Sequence, residues 1–444
     1  MAEPASGAGL LPSALVSASG SMDSAQAPAL GAGDARSVES AAPGTLKIAL
    51  LSTFYAPEPT GIGPYSAELA EALAAKGHAV RVVAAFPFYP EWRLCVPPWT
   101  LLYGTEQRNA VSVTRCRLYV PRNPGPGRRL AHELSWTLAA GALLPKLAVW
   151  ADVWLIVTPS FGSALLGALL ARCLNARVHL HVQDVVPDIA VESGQLGSGM
   201  GLSIARQLAR WTYRSFESVS TLSESMAARL RRHTGKAAAS ELIAPNWVRR
   251  ASALGRRLPE PLSKRSYALY AGSFGRKQDL ALLTEAAGLL AARGGPTIAV
   301  LGDGPGRDVL ERAGNTVVWL GLVDEGTYRT VLEDALAGIV ALAPGVGDSV
   351  VPSKLAAYLG AGLPVVVAAD GESEAARVVR WAGCGVRIPP GRADLLADSL
   401  CLLCEDREMW QACASSGRAY AEAHWDKEII VGRIEGALLA VRVS

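Results

Sequence analysis

Residues 351–368, VPSKLAAYLGAGLPVVVA, decide the fold of this chain, because a loop, a helix and a buried strand follow one another there. Pro352 suits a first helical turn, with Ser353 and Lys354 beside it. Two glycines and a proline then end the helix. The apolar run 365–367 lacks alternation, which is typical of a parallel strand covered on both faces. The helix start, with its hydroxyl and lysine, is a favourable place for a phosphate, although an ordinary unit of an α/β core explains the stretch equally well.

The composition indicates a soluble globular protein with a large core. The chain has 444 residues, of which 50% are hydrophobic and 19% charged, so two or three domains are expected. The net charge of +3 is too small to indicate nucleic acid as a partner. Seven scattered cysteines favour a reducing compartment. Cys401 and Cys404 form a C-x-x-C in a leucine-rich helical pattern without a partner pair, which predicts a buried helix face rather than a metal or redox site.

The N-terminal residues 1–44 are rich in Ala, Gly, Ser and Pro, and we predict a disordered tail there. No positively charged region precedes Leu10 and Leu11, so a signal peptide is not expected. The longest apolar runs, 138–144 and 164–170, are much shorter than the ~20 residues that a membrane-spanning helix needs.

The first strand–helix–strand unit begins with LKIALLS, continues through a loop into a helix from about Tyr65, and ends with the strand AVRVVAA. This order predicts a parallel sheet. Gly61 and Gly63 fit the first half of the dinucleotide fingerprint G-x-G-x-x-G, but the third position is Ser66, and no acidic residue ends the second strand. We therefore expect no nicotinamide, and no cofactor is predicted.

The alternation of strands and helices continues in two blocks. The N-terminal unit is placed at 45–250, a polar, basic linker with two prolines at 251–265, and the second unit at 266–425. Two doubly wound α/β units in tandem fit this pattern, with ligands beyond the carboxyl ends of the strands. The predicted strands after the first two are VSVTRCRLY, ADVWLIVTP, ARVHLHVQD, SVSTLSES, ELIAPN, SYALYAGS, TIAVLGDG, NTVVWLGLV, AGIVALAP, LPVVVAAD and CGVRIPP.

Candidate phosphate-binding residues follow two strands of the second unit. In YAGSFGRKQDLALL, Gly272 allows close backbone approach, and Arg276 and Lys277 come directly before a helix. Two cations at a helix start oppose the helix dipole unless an anion lies between them. A diphosphate is one explanation, and a solvated basic turn is the other. VLGDGPGRDVL repeats the layout, with Asp303 and Gly304 in a tight turn before a helix.

Carboxylates follow a strand of the first unit, where HVQDVVPDIA contains Gln183, Asp184 and Asp188. The two aspartates suit an acid/base pair, a helix cap or a clamp for sugar hydroxyls, and a cap formed by Asp188 is the commonest of these. No His, Asp or Glu cluster has metal-ligand spacing, and no D-x-D ends a strand. No metal is therefore predicted.

A basic stretch at 115–129 contains five arginines and no acidic residue, and an apolar helical pattern with Trp136 and Trp150 follows it. The arginines are Arg115, Arg117, Arg122, Arg128 and Arg129. Basic residues beside aromatic and aliphatic ones suit a membrane surface or a lipid-diphosphate acceptor. A basic loop before a core helix explains the same pattern.

The order of these short motifs resembles that of the family 4 glycosyltransferases, in particular the branch of the colanic-acid and aminosugar transferases of bacterial surface-polysaccharide biosynthesis. The resemblance extends from Lys47 nearly to the C-terminus. The motifs that carry it are TGIGPYSAELAEALAAKGHAVRVV, PFYPEWR, QDVVPDIA, APNW, YAGSFGRKQDL, LGDGPGRDVL, VVPSKLAAYLGAGLPVV and GESEAARVV.

The resemblance implies the GT-B fold, with two Rossmann-like domains facing across a cleft. The first domain would hold a glycan or polyprenyl-diphosphate-linked acceptor, and the second a UDP- or GDP-sugar. Retention of anomeric configuration, no required metal, and a C-terminal helix at 426–444 returning to the first domain are also implied. The implied location is the cytoplasm, at the inner face of the cytoplasmic membrane.

The chain departs from the family pattern at three positions. Ser349 and Ala357 stand where most members have two glutamates, the first touching the donor sugar and the second the ribose. Asp348 and Glu374 are the nearest acids that can replace them. Gln183 stands where a histidine is usual, so no histidine role transfers, whereas Asp184 matches the family's aspartate.

The chemistry expected of these residues is sugar transfer from a nucleoside diphosphate. Arg276, Lys277 and Lys354 would stabilise the charge growing on the leaving diphosphate, and Asp184 would orient the acceptor hydroxyl or stabilise the sugar cation. The predicted site is catalytic Asp184; donor-binding Gly272, Arg276, Lys277, Gly304, Ser353, Lys354 and Glu374; and an acceptor or phosphate loop of Gly61, Gly63 and Tyr65. The rivals are a nucleotide-sugar epimerase and a non-catalytic nucleotide-binding homologue.

Overall fold

The computed structural model shows two α/β units, each built on its own sheet. The predicted tail, apart from Gly44, and residues 251–256 of the predicted linker lie outside the described residues. The structure describes residues 44–58, 61–89, 91–97, 101–123, 125–186, 188, 199–235, 237–249, 257–275, 277–345 and 353–443.

The first sheet has eight strands in the order β3-β4-β2-β1-β5-β6-β7-β8. All neighbours are parallel except β3, which lies antiparallel to β4 at the edge. The strands are Lys47–Ser52 (β1), Ala79–Ala85 (β2), Tyr103–Arg108 (β3), Val111–Cys116 (β4), Val153–Val157 (β5), Val178–Val182 (β6), Ser218–Thr221 (β7) and Ser240–Ile243 (β8).

The helices of the first unit cover both faces of this sheet. They are Gly63–Ala75 (α1), Pro126–Gly141 (α2), Leu144–Ala148 (α3), Phe161–Cys173 (α4), Met200–Tyr213 (α5) and Glu224–Thr234 (α6). Ser160 caps α4 by accepting from the Ser163 amide, and Ser223 caps α6 by accepting from the Met226 amide. Both helices begin at these caps because the hydroxyls satisfy amides that have no partner within the helix.

The second sheet has six parallel strands in the order β11-β10-β9-β12-β13-β14. Counted within the unit, this is the 3-2-1-4-5-6 order of a doubly wound Rossmann fold. The strands are Tyr267–Ala271 (β9), Thr297–Leu301 (β10), Val317–Gly321 (β11), Ala337–Ala341 (β12), Val365–Ala368 (β13) and Gly385–Ile388 (β14).

The helices of the second unit alternate with these strands, and two more follow β14 before the C-terminal helix. They are Leu280–Arg293 (α7), Arg307–Ala313 (α8), a 3-10 turn at Gly314–Thr316, Glu325–Asp334 (α9), Ser353–Ala361 (α10), Glu374–Ala382 (α11), Ala393–Glu405 (α12), Arg407–His424 (α13) and Lys427–Val443 (α14). The central strands β12 and β13 are entirely buried, as the absence of alternation in their sequences predicts.

The C-terminal helix α14 packs on the first unit. Ile430, Ile434 and Leu438 are fully buried in the core formed by α1 and strands β1, β2 and β5. Glu435 accepts from the His78 ring at 3.0 Å and pairs with Lys76 at 3.0 Å. On the opposite face of the first sheet, α2, α4 and α5 share a second core with the same strands.

The passage between the units is tied to both. The Trp247 indole donates to Glu68 of α1 at 2.7 Å, and Arg249 pairs with the same carboxylate at 2.6 Å. The amide of Val248 donates to the Trp425 carbonyl of the second unit at 2.9 Å. A Cβ on Gly360 of α10 would lie 2.2 Å from the Val248 side chain, so the chain passes directly over this helix.

The predicted surface role of Arg115 is wrong. Its side chain is buried and donates to the backbone carbonyls of Ala85 and Ala56, and it pairs with Glu106 at 2.7 Å. Glu106 lies on β3, outside the acid-free stretch, so Arg115 joins the edge strand to the β1 loop. The prediction for the C-x-x-C is wrong in part, because Cys404 is exposed although both cysteines lie on α12 as expected.

Candidate functional site

The candidate site of the second unit lies where its strand order reverses, between the carboxyl ends of β9 and β12. Doubly wound sheets bind ligands at such a switch point because the loops on either side diverge and leave a crevice. After the β9 loop the chain turns back and pairs with the end of β12. The Ala343 amide donates to the Lys277 carbonyl at 3.0 Å, and the Asp279 amide to the Ala341 carbonyl at 3.3 Å.

Glycines allow the loops after β9 and β10 to pack backbone against backbone. Gly302 has φ +132°, and a Cβ there would lie 1.9 Å from the Gly272 carbonyl oxygen. A Cβ on Gly304, with φ +152°, would lie 2.9 Å from the Phe274 amide nitrogen. No other residue fits at these two positions, since both the backbone angle and the space exclude a side chain.

The side chain of Lys354 extends from the first turn of α10 to the loop that follows β9. Its ammonium donates to the Gln278 amide oxygen at 3.1 Å and lies 4.0 Å from the centre of the Tyr270 ring. A Cβ on Gly272 would lie 3.1 Å from the same nitrogen. The side chain keeps some exposed surface, yet so many atoms surround the ammonium that burial lowers the pKa of Lys354 to about 7. The polar partner shown for this cation is a neutral amide.

Two further predicted donor ligands lie beside it. Lys277 is partly exposed where the chain pairs with the end of β12, and Ser353 is exposed as the first residue of α10. Arg276 lies outside the described residues, as do Asp348 and Ser349. Ala357 lies within α10 and presents a methyl group where most members of the family that this chain resembles have a glutamate.

Glu374 is engaged by both units. It begins α11, pairs with Arg377 at 2.8 Å, and accepts from the Ser225 hydroxyl of α6 at 3.4 Å. The carboxylate therefore lies at the contact between the second unit and the first, near the end of β13. Both contacts are made by Oε2, and a carboxylate can accept further hydrogen bonds through its other oxygen.

A buried polar chain supports the corresponding edge of the first sheet. The rings of His179 and His181 contact the Ser220 hydroxyl at 2.8 Å each, and His181 contacts the Gln183 amide at 2.7 Å. Gln183 and Asn246 then pair through both amides, at 3.1 and 2.9 Å. Burial lowers the pKa of His179 to about 3 and that of His181 to about 4, so both rings are neutral near pH 7.

The two aspartates after β6 have different surroundings. Asp184 is partly exposed at the strand end, with its amide 3.5 Å from the Thr158 hydroxyl of the β5 loop. Asp188 pairs with His233 of α6 at 2.9 Å. Burial alone would raise the pKa of Asp188, but the hydrogen bond and charge of His233 outweigh it and lower the pKa. Asp188 is thus held by His233, and the catalytic role of Asp184 stays a prediction.

The predicted glycine loop lies at the carboxyl end of β1, at the switch point of the first sheet. Gly61 has φ +66°, and a Cβ on it would lie 3.7 Å from the Tyr89 ring. A Cβ on Gly63 would lie 3.2 Å from the side chain of Glu58. Tyr65 points away from this loop towards the interdomain passage, where its ring meets Trp247 edge-to-face at 5.4 Å.

Glu58, which the sequence reasoning missed, fastens the same loop. Its carboxylate accepts from the Phe88 and Tyr89 amides at 3.0 and 3.1 Å, while burial raises its pKa. Gln278, the partner of Lys354, was missed as well. No spacing rule identifies either residue, because each acts on atoms distant in sequence.

The described residues contain no group of three or more His, Cys, Asp or Glu side chains arranged to hold a metal ion. Likewise, no helix in this part of the chain has the length and apolar character needed to cross a membrane.

Comparisons with known proteins agree with this architecture. The family model described as "Glycosyl transferase 4-like domain" matches residues 60–247. The putative colanic acid biosynthesis glycosyl transferase WcaI of Escherichia coli is 32% identical over 411 residues, covering 87% of this chain and 98% of that protein. Sucrose-phosphate synthase from Thermosynechococcus elongatus has a TM-score of 0.65 at 18% identity, covering 89% of this chain and 99% of that chain. HepE of Anabaena in complex with UDP-glucose has a TM-score of 0.60 at 15% identity, covering 89% and 100%.

Two Rossmann-like units with these strand orders, superposing along nearly their whole length on solved glycosyltransferases, define a GT-B protein, and the fold prediction is confirmed. The sequence identity is more specific than the fold. The chain belongs to the family 4 glycosyltransferases.

Proposed function

We propose that the protein is a retaining, metal-independent hexosyltransferase of surface-polysaccharide biosynthesis. It moves a sugar from a UDP- or GDP-sugar to a glycan or polyprenyl-diphosphate-linked acceptor. The relative WcaI is named for colanic acid biosynthesis, and HepE was crystallised with UDP-glucose; both names support this substrate class. The sugar transfer takes place in the cytoplasm at the inner face of the cytoplasmic membrane.

In this proposal the two domains bind different substrates. Residues 45–250, with the returning helix at 426–444, hold the acceptor, and residues 266–425 hold the nucleotide-sugar. Lys354, Lys277 and Arg276 bind the diphosphate, with Ser353 at the start of α10. Gly272 and Gly304 let the loops after β9 and β10 pack closely at the crevice, where the diphosphate would approach their backbone, and Glu374 binds the sugar or ribose.

The observation that carries the proposal is the environment of Lys354. Its ammonium lies at the switch point against Gly272, Tyr270 and a neutral amide. Among the described residues, the polar group that this cation contacts is a neutral amide, and burial of a cation beside a neutral partner is unfavourable. A diphosphate in the crevice would supply a negative charge close to the ammonium and so stabilise its charged form.

The reaction follows from these positions. The bond between the anomeric carbon and the diphosphate oxygen breaks, and the acceptor oxygen bonds to that carbon on the same face. The proton of the acceptor hydroxyl passes to the leaving phosphate oxygen. The cations at the switch point stabilise the negative charge where it grows, while Asp184 orients the acceptor hydroxyl or stabilises the oxocarbenium-like sugar. The glycine loop with Gly61 and Gly63 contributes to the acceptor side.

The testing experiment is a donor screen. UDP- and GDP-sugars are incubated with the protein, and the released nucleoside diphosphate is measured with and without glycan and lipid-linked acceptors. We expect slow release from one donor alone and faster release with an acceptor. An acceptor-independent change of the sugar without release would indicate an epimerase, and nucleotide binding without turnover would indicate a non-catalytic homologue.

A further inference from the structure

The large apolar side chains that the protein leaves exposed are concentrated on one helical layer of the first unit. In α2, Leu130, Leu134 and Leu138 follow one another at intervals of four residues, on the side opposite the buried Trp136. Leu138 is 76% exposed. Side chains at this spacing form a continuous stripe on one face of a helix. That stripe points away from the sheet.

A second stripe lies on α5. Met200, Ile204, Leu208 and Trp211 are exposed at intervals of four and three residues, while Leu202 faces the core. Ile204 is 61% exposed. The helix α4 lies between α2 and α5 in the same layer. It adds Leu169 near its end and Leu174 just after it, both exposed.

The second unit differs sharply. Across its described residues from 257 to 425, Leu322 is the one large apolar side chain that is mostly exposed. Contiguous apolar patches of this kind on a soluble protein mark sites of protein or membrane contact.

The charged residues of the same helical layer are mostly positive. Helices α2, α4 and α5 carry five arginines, and their one acidic residue is Glu133. Glu133 is directed inward, where it accepts from the Ser160 hydroxyl at 2.7 Å and from the Gly162 amide at 3.1 Å.

Arg206 follows the core-facing Leu202 by four residues and therefore lies on the same, inner side of α5. The exposed Arg128 and Arg172, the latter stacked on Trp211, make the outer surface of the layer basic as well as apolar.

We infer that this α2–α4–α5 face docks on an anionic lipid bilayer, with the leucine and isoleucine stripes in the interface and the arginines at the headgroups. Amphipathic helices with basic flanks bind such surfaces through buried apolar area and attraction to anionic lipids. A second copy of the chain fits less well. A symmetric dimer would bring the same patch on both copies together, and the arginines would repel one another.

The position of the face fits the proposed function, on which the purpose of the contact rests. In an α/β unit the helices begin at the carboxyl ends of the strands. Leu130 and Met200 therefore lie at the edge of the sheet where Asp184 follows β6. A bilayer on this face would place a lipid-linked acceptor beside the proposed acceptor side.

The test is vesicle flotation with two matched pairs of variants. The vesicles are phosphatidylcholine alone, or phosphatidylcholine with a quarter of phosphatidylglycerol. Leu134→Gln/Ile204→Gln removes two exposed apolar side chains of the face, and Leu322→Gln is the control on the second unit. Arg128→Glu/Arg172→Glu reverses two charges of the face, and Arg293→Glu/Arg312→Glu is its control.

The wild type and both controls should float with the anionic vesicles at low salt and bind less as salt rises. Both face variants should bind at least tenfold more weakly, with unchanged thermal unfolding and unchanged affinity for UDP or GDP. Absence of wild-type binding, or equal binding by all five proteins, would overturn the inference. So would a wild-type dimer that Leu134→Gln/Ile204→Gln converts to monomer. A failed donor screen with intact flotation would instead overturn the proposed function alone.

Discussion

Donor binding should be linked to protonation of Lys354. Burial lowers the pKa of this ammonium from 10.5 to about 7. At 1.36 kcal/mol per pH unit, this difference corresponds to about 5 kcal/mol of unfavourable desolvation of the cation. A bound diphosphate offsets that cost and raises the pKa again. We therefore expect Lys354 to be partly neutral near pH 7 in the empty protein and to take up a proton when the diphosphate binds.

The direction of the pH dependence follows. Between about pH 7 and 10.5 the unfolded chain holds a proton at Lys354 that the folded, empty protein lacks. Because of this group, the free energy of unfolding increases as the pH rises through that range. Anion affinity changes in the opposite sense and should fall about tenfold per pH unit above pH 7.

Calorimetric titration measures this linkage directly. UDP-glucose, with GDP-glucose as the alternative probe, is titrated at pH 6, 7 and 8 in buffers of different ionisation enthalpy, which gives the number of protons taken up. We expect about half a proton at pH 7 and nearly one at pH 8. The intact nucleotide-sugar is used because its diphosphate has no group that titrates near neutrality.

Lys354→Met is the informative variant, since it keeps most of the side-chain volume. It should lose the proton uptake and bind at least tenfold more weakly at pH 6, without loss of thermal stability, because a buried cation has been removed. Lys264→Met, at an exposed position in the stretch between the units, is the control. Proton uptake that persists in Lys354→Met, or a pH-independent affinity in the wild type, would refute the reasoning.

Other predictions concern the remaining residues of the site. Lys277→Ala removes a charge-assisted contact of roughly 1.5–3 kcal/mol, so nucleotide affinity by calorimetry should fall at least tenfold; an unchanged affinity would remove Lys277 from the site. Transfer should survive EDTA, and strict dependence on Mg²⁺ or Mn²⁺ would contradict the proposed chemistry. Asp184→Asn should lower kcat about 100-fold or more with little change in donor affinity; an equal loss of donor affinity would place the carboxylate on the donor. His179 and His181 stay neutral in the folded protein but take up protons in the unfolded chain below pH 6.5. The free energy of unfolding should therefore decrease as the pH is lowered, by about 2 kcal/mol for each histidine at pH 5. Urea unfolding of the wild type and His179→Asn at pH 7 and 5 tests this, and equal pH dependence of the two would contradict it.

The sequence predicts the two sheets well because their central strands are buried on both faces. Such strands appear as uninterrupted apolar runs, as in 365–367, between helices with recognisable ends. The edge strand β3, YGTEQR, was missed because its side chains are mostly polar and no periodicity identifies it. The burial of Arg115 was missed for the same reason, since its partner Glu106 lies on that strand.

The site was only partly predictable. The sequence predicts that Lys354 and Gly272 both bind the donor. In the fold, an ideal Cβ on Gly272 would lie 3.1 Å from the Lys354 ammonium nitrogen. Their meeting depends on the strand order, which sequence spacing does not reveal. The amide pair of Gln183 with Asn246 and the ion pair of Asp188 with His233 are also long-range contacts. The resemblance already favoured Asp184 over Asp188 as the catalytic residue, whereas the pairing of Asp188 with His233 is visible only in the three-dimensional arrangement.

The central claim is that the second unit holds the donor diphosphate at its switch point. A crystal structure with bound UDP or GDP tests it most directly. We expect the diphosphate within hydrogen-bonding distance of the Lys354 ammonium, beside Gly272 and the start of α10. A nucleotide bound instead at the Gly61 and Gly63 loop of the first unit would contradict it.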